Sequence, residues 1–148
     1  MNTTKGLLLF TIMVSTLCFY SCDFTRDEPL IEGGSDKYFD YKAQTKSFRV
    51  VQTSGKPYNH KMNWDIIGIE DFGQPNSTFL TQKVDTLLNG DLKIGYEWVS
   101  FLVKNDKSII EVEVLENTTG KHRSVFFTTR TTGKQIYRPN MLITQKPK

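Results

Sequence analysis

The chain has 148 residues, 38% of them hydrophobic and 24% charged, with a formal net charge of +3 and an isoelectric point near 8.8. That balance excludes a disordered polyampholyte and a collagen-like fibre, and the length suits one domain with a short extension. Only two cysteines are present, Cys18 and Cys22, so a multi-bridge disulfide framework is excluded as well.

The first segment has the grammar of an export signal. Lys5 supplies a positive start, Gly6 to Phe19 holds no charged residue, and Ser21 places a small side chain directly before Cys22. After Cys22 the composition switches to Asp23, Arg26, Asp27 and Glu28. The apolar stretch is too short, and its far flank too weak, for a membrane span. A cysteine immediately after the cut resembles a lipoprotein signal, although Phe19 stands where leucine is commoner. Cys18 is the poorer candidate, because bulky Leu17 precedes it. Residues 1–21 are therefore expected to be removed and Cys22 to carry lipid that anchors the protein to a membrane. Removal leaves 127 residues in which Cys22 is the sole cysteine. The fold must then hold by packing, even in an oxidising compartment.

Residues 22–45 are acidic, contain Pro29 and Gly33-Gly34, and show no sustained period; they are expected to form a flexible tether. Residues 46–148 are expected to form the domain. Phe48-Arg49-Val50 and Ile110-Glu111-Val112-Glu113-Val114 alternate apolar and polar side chains, as strands with one wet face do. Met62 to Ile69 reads as a more buried strand, and Ser124 to Arg130 and Asn140 to Gln145 are rich in β-branched and aromatic residues. Thr118-Thr119-Gly120-Lys121 and Thr132-Gly133-Lys134 mark reversals. Between Glu70 and Gly95 the pattern is irregular, and Thr78 to Leu88 fits a strand or a short helix. The expected fold is all-β: an immunoglobulin-like antiparallel β-sandwich of about seven strands.

Charge is unevenly spread. Asp23 to Asp40 holds six acids and two bases, whereas Lys121 to Lys148 holds seven bases and no acid. Solvated strand faces account for this, and an anionic glycan or lipid headgroup is the functional alternative. The export signal rules out nucleic acid in practice.

The C-terminal half resembles a known family. Ile109 to Leu115, then Asn117, Gly120 and Arg123 in the following turn, Ser124 to Phe127, and a last strand closing on Gln145 resemble the BACON domain (Bacteroidetes-associated, carbohydrate-binding, often N-terminal). Trp64, and Trp98 before Val99-Ser100-Phe101, fit its upstream aromatics. The likeness covers roughly residues 46 to 146, and the long stretch between the tryptophans departs from it as a loop insertion would. The resemblance implies an immunoglobulin-like sandwich with a glycan- or mucin-binding role. Asp23, Asp27 and Glu28 also resemble, in part, the acidic export signal of surface lipoproteins in the Bacteroidetes. Physically, Asn117 suits a left-handed or Asx turn and Gly120 a positive φ, while Arg123 can lie on apolar surface or pair with Glu116. Gln145 can bond backbone at a sheet edge.

Sugar binding requires an aromatic platform beside amide or carboxylate groups, and Tyr58, Trp64 and Trp98 are the candidates for it. The tryptophans are assigned to the core first, since a sandwich without a disulfide needs bulk between its sheets, and Tyr58, in a turn-like stretch beside Pro57 and Asn59, is the better candidate for an exposed platform. No catalytic residue is assigned: His60 and His122 are isolated, there is no metal-ligand spacing, phosphate loop or nucleophile elbow, and no carboxylate pair stands out. No cofactor is expected. Asp85-Thr86-Leu87 resembles the O-glycosylation pattern of the Bacteroidetes, which makes Thr86 a candidate modification site. The expected protein is a non-catalytic, lipid-anchored lipoprotein of the outer membrane that faces a glycan. The alternative is a structural subunit that binds another envelope protein.

Overall fold

The computed structural model describes residues 27–59, 63–72, 78–131 and 138–148. The signal segment, Cys22, His60 and the expected reversal at Thr132 to Lys134 lie outside the described residues. Eleven strands follow one another among those described: β1 (Pro29–Ile31), β2 (Asp36–Phe39), β3 (Gln44–Gln52), β4 (Trp64–Asp71), β5 (Phe79–Thr81), β6 (Asp85–Thr86), β7 (Leu92–Tyr96), β8 (Val99–Val103), β9 (Ile109–Val114), β10 (Arg123–Thr131) and β11 (Met141–Gln145). They form a six-stranded sheet in the order β1-β3-β9-β8-β7-β6 and a five-stranded sheet in the order β2-β11-β10-β4-β5. All neighbours run antiparallel except β2 and β11. The molecule is an immunoglobulin-like β-sandwich, the fold class expected from the sequence.

Period-2 alternation sets which face of each strand meets the core. In β9, Ile110, Val112 and Val114 are wholly buried, while Glu111 and Glu113 turn outward. In β8 the inward set is Val99, Phe101 and Val103, and in β10 it includes Val125 and Phe127. At the centre the Phe101 ring of one sheet stacks on the Phe127 ring of the other, with centroids 4.5 Å apart and planes 21° apart. Offset stacking of this kind adds to the area that the two rings bury.

The tether expectation is corrected for residues 29–45. Pro29 to Ile31 pairs with Val50 to Gln52, Asp36 to Phe39 pairs with β11, and Phe39 is only 1% exposed. Gly33 and Gly34, at φ 73° and 88°, let the chain cross from one sheet to the other within a few residues. Composition suggested a linker because three- and four-residue edge strands are too short to show a period. The strand count of about seven is corrected for the same reason, since β1, β2, β5 and β6 hold two to four residues each. The stretch between Trp64 and Trp98 is not a loop insertion: it carries β4, β5, β6 and β7.

Gly68 in β4 holds the edge of the five-stranded sheet together. A Cβ built there would stand 2.6 Å from the Thr81 carbonyl oxygen and 2.7 Å from a Phe79 ring carbon, so only glycine lets β5 and its ring approach. Gly68→Ala is expected to lower the unfolding free energy by about 1–3 kcal/mol in urea melts, through displacement of β5. An unchanged midpoint would show that β5 is not seated on this glycine.

Candidate functional site

The residues that carry the family resemblance close one end of the sandwich. Asn117, fully buried, accepts the Thr119 N–H at its Oδ1 (3.1 Å) and donates from Nδ2 to the carbonyls of Lys121 (2.8 Å) and Lys146 (2.9 Å). This is the Asx-turn alternative, and Gly120 follows at φ 69°. Gln145, also fully buried, donates from Nε2 to the carbonyls of Asp40 (2.9 Å) and Leu115 (3.0 Å), and accepts Arg123 Nε (2.9 Å) and Nη2 (2.7 Å) at Oε1. The Arg123 guanidinium lies 4.4 Å from the centroid of the Trp98 ring and donates to the Leu115 carbonyl at 2.7 Å. Burial lowers the pKa of this guanidinium, and the Glu97 carboxylate opposes the shift. Glu116 pairs instead with Lys148, at 3.7 Å. Every group in this network meets the chain itself, so the motif acts as a clasp across the two sheets.

The three aromatic candidates do not form a platform. Trp64 is 0% exposed and belongs to the core, which corrects its assignment as a ligand-binding residue. Trp98 is 8% exposed and one face is covered by Arg123, so only its rim borders a shallow groove of about 290 Å³ beside Gly95 and Ser100. Tyr58 is half-buried against the core, and burial, ahead of the Asp106 carboxylate, pushes its phenol above the usual value. The bulk a sandwich needs between its sheets took the tryptophans first. Thr86 is exposed on the edge strand β6.

The exposed aromatic side chains gather elsewhere, on the outer face of the five-stranded sheet. Pairing places Thr144 of β11 beside Tyr38 of β2 and opposite Ser124 of β10; strand alternation carries that row on to Phe72, one residue past β4. The next row runs Asp36, Leu142, Phe126, Glu70 and Phe79. Tyr38 is 63% exposed, Phe72 56% and Phe79 37%, while Phe126 and Leu142 are half-buried between them. The Ser124 and Thr144 hydroxyls bond each other at 3.0 Å in mid-face, and Thr128 donates to Glu70 at 2.6 Å. Four strands at about 4.8 Å spacing set Tyr38 and Phe72 roughly 14 Å apart. The face thus offers rings at its borders with hydroxyl and carboxylate groups between them.

Sequence reasoning missed this surface. Phe126 sits between Val125 and Phe127 in an apolar run that hides which of the three points outward, and Tyr38 lies in a segment taken for tether. The usable signal was Asp36-Lys37-Tyr38-Phe39, whose alternation is only four residues long. Among the described residues, no cluster of three or more His, Cys, Asp or Glu side chains is arranged to hold a metal ion.

Neither a family model nor a curated protein sequence matches this chain. Among solved structures, the NMR structure of a protein from Bacteroides thetaiotaomicron is similar, with a TM-score of 0.54 at 12% identity. The match covers 86% of this chain and 94% of the other. At that identity the likeness speaks to the sandwich fold.

Proposed function

We propose that the protein is a non-catalytic module, held on the outer membrane by lipid at Cys22, that binds a glycan on the outer face of the β2-β11-β10-β4-β5 sheet. The observation that carries this reading is the grouping of Tyr38, Phe72 and Phe79 on one face, with the Ser124–Thr144 hydroxyl pair between them. A pyranose presents C–H faces, which rest on aromatic rings, and a rim of hydroxyls, which exchange hydrogen bonds with hydroxyl and carboxylate groups. Asp36 and Glu70 supply carboxylates in the adjoining row. The BACON-like motif and the lipoprotein-like signal point to the same setting.

Glycan arrays followed by calorimetry with mucin and plant polysaccharides test the proposal. Binding is expected from the intact protein and is expected to fall below detection in the double variant Tyr38→Ala, Phe72→Ala, whose side chains are both largely solvent-exposed. Absence of binding by a well-folded sample at millimolar glycan would sink the reading. A second reading, docking of another envelope protein, is favoured by the apolar Phe126 and Leu142 in the centre of the same face. Capture of an envelope protein that the double variant fails to capture would select it.

A further inference from the structure

The ladder of the six-stranded sheet shows which end of the domain the N-terminal segment approaches. One end is marked by the aligned residues Tyr96, Val99, Val114 and Gln44. Four residues along, Leu92, Val103, Ile110 and Phe48 are aligned, and β3 continues past them to Gln52, which pairs with Pro29. Glu28 is clipped there: its N–H donates to Thr53 Oγ1 (3.2 Å) and its carbonyl accepts the Thr53 N–H (3.0 Å). Five residues lie between Cys22 and Glu28, a reach of at most about 22 Å. A cysteine embedded in a bilayer through its lipid therefore keeps this end of the sandwich close to the headgroups.

The same end carries an apolar turn. Leu87 and Leu88, directly after β6, are 39% and 111% exposed. Leu87 also borders a groove on the outer face of the sheet with Lys93 and Leu102, whereas Leu88 stands fully clear, and the turn that carries it is held from behind. Leu87 N–H donates to the Asp91 carbonyl (2.8 Å), Gly90 N–H to the Leu87 carbonyl (2.9 Å) and Asp91 N–H to Asn89 Oδ1 (3.1 Å). The Asp91 carboxylate accepts the Asn105 N–H (2.9 Å) and lies 3.6 Å from the Lys104 ammonium. Gly90, at φ 85°, presses against the Asn105 side chain, where a Cβ would stand at 2.8 Å. Leu88 is thus presented on a well-bonded turn, at the sheet edge opposite β1 and about 24 Å across from it.

We propose that this end of the sandwich docks on the lipid surface, with Leu88 at the tip of the turn entering the headgroup region as a second contact beside the lipidated cysteine. The proposal rests on lipidation of Cys22. Two points of contact on opposite edges hold the domain upright, so that its strands run along the membrane normal. The Asn117–Lys121 turn then points away, and the aromatic face of the five-stranded sheet opens sideways. A few apolar side chains at the interface add to a lipid anchor in proportion to the area they bury.

Spin labels at single introduced cysteines test this on the full chain expressed in its membrane, then moved into nanodiscs. Lipidated Cys22 has no free thiol, so Leu88→Cys and Thr118→Cys each carry one label, at opposite ends. Partition into the detergent phase of a Triton X-114 extract reports the anchor independently. The expected result is detergent partition of both variants, with an oxygen-to-nickel accessibility ratio severalfold higher at position 88 than at 118. Detergent partition with equal, water-like ratios would overturn the docking and leave the anchor intact. Partition into the aqueous phase would overturn both.

Discussion

Phe127→Ala lowers the unfolding free energy by about 3–5 kcal/mol, the range for emptying a fully packed phenylalanine site. Phe127 is 0% exposed and stacks on Phe101, also 0% exposed, at the point where the two sheets meet. The void cannot collapse easily, because its walls are strands fixed by ladders on both sides: β10 pairs with β11 and with β4. Since domains of this size are stable by only about 5–15 kcal/mol, the variant loses a large part of its margin. Urea denaturation followed by tryptophan fluorescence measures it, with Trp64 and Trp98 as buried reporters. Phe72→Ala, a change at an exposed ring, serves as the control and shifts stability by no more than about 0.5 kcal/mol. A loss below about 1 kcal/mol for Phe127→Ala would mean that the sheets do not pack through this stack.

Gln145→Leu costs about 2–4 kcal/mol, although leucine is similar in size and more apolar. The replacement strips a donor from the carbonyls of Asp40 and Leu115 and an acceptor from the Arg123 guanidinium, in a place that water does not reach freely. Groups left unpaired in such surroundings cost their full desolvation. The loss has a local signature. Amide exchange accelerates first around Asp40 to Lys42 and Leu115 to Asn117, because Gln145 ties those segments to β11. Uniform acceleration over the whole domain, with the clasp segments no faster than the rest, would contradict a clasping role.

The strands that the sequence displayed were among the longer ones: Ile110 to Val114 is legible because its glutamates alternate with wholly buried partners, whereas Leu92 to Tyr96, interrupted by Gly95, is not. The edges were not legible. A strand of three residues has no period, and its place is set by a partner far away in sequence, as when Pro29 meets Gln52. The clasp was half legible. Asn117, Gly120, Arg123 and Gln145 are marked by the resemblance to the BACON domain, and their side chains suit an Asx turn and a backbone-bonding glutamine. Which groups they meet depended on the Asp40–Lys42 segment, which composition had assigned to the tether. The aromatic face was least legible, because an outward ring and an inward ring carry the same hydrophobic signature in sequence. Tyr38 and Phe39 are neighbours, yet one is 63% exposed and the other 1%.

By itself the sequence determined the all-β class, and the alternation that decides which side chains of the longer strands face inward. Both follow from local rules, since successive side chains on a strand must point to opposite faces. Only the tertiary structure decided that residues 29–45 belong to the domain. It also decided that Tyr38, Phe72 and Phe79 share a face. Those outcomes depend on which strands pair across distances of twenty to a hundred residues, and no local pattern records such a pairing.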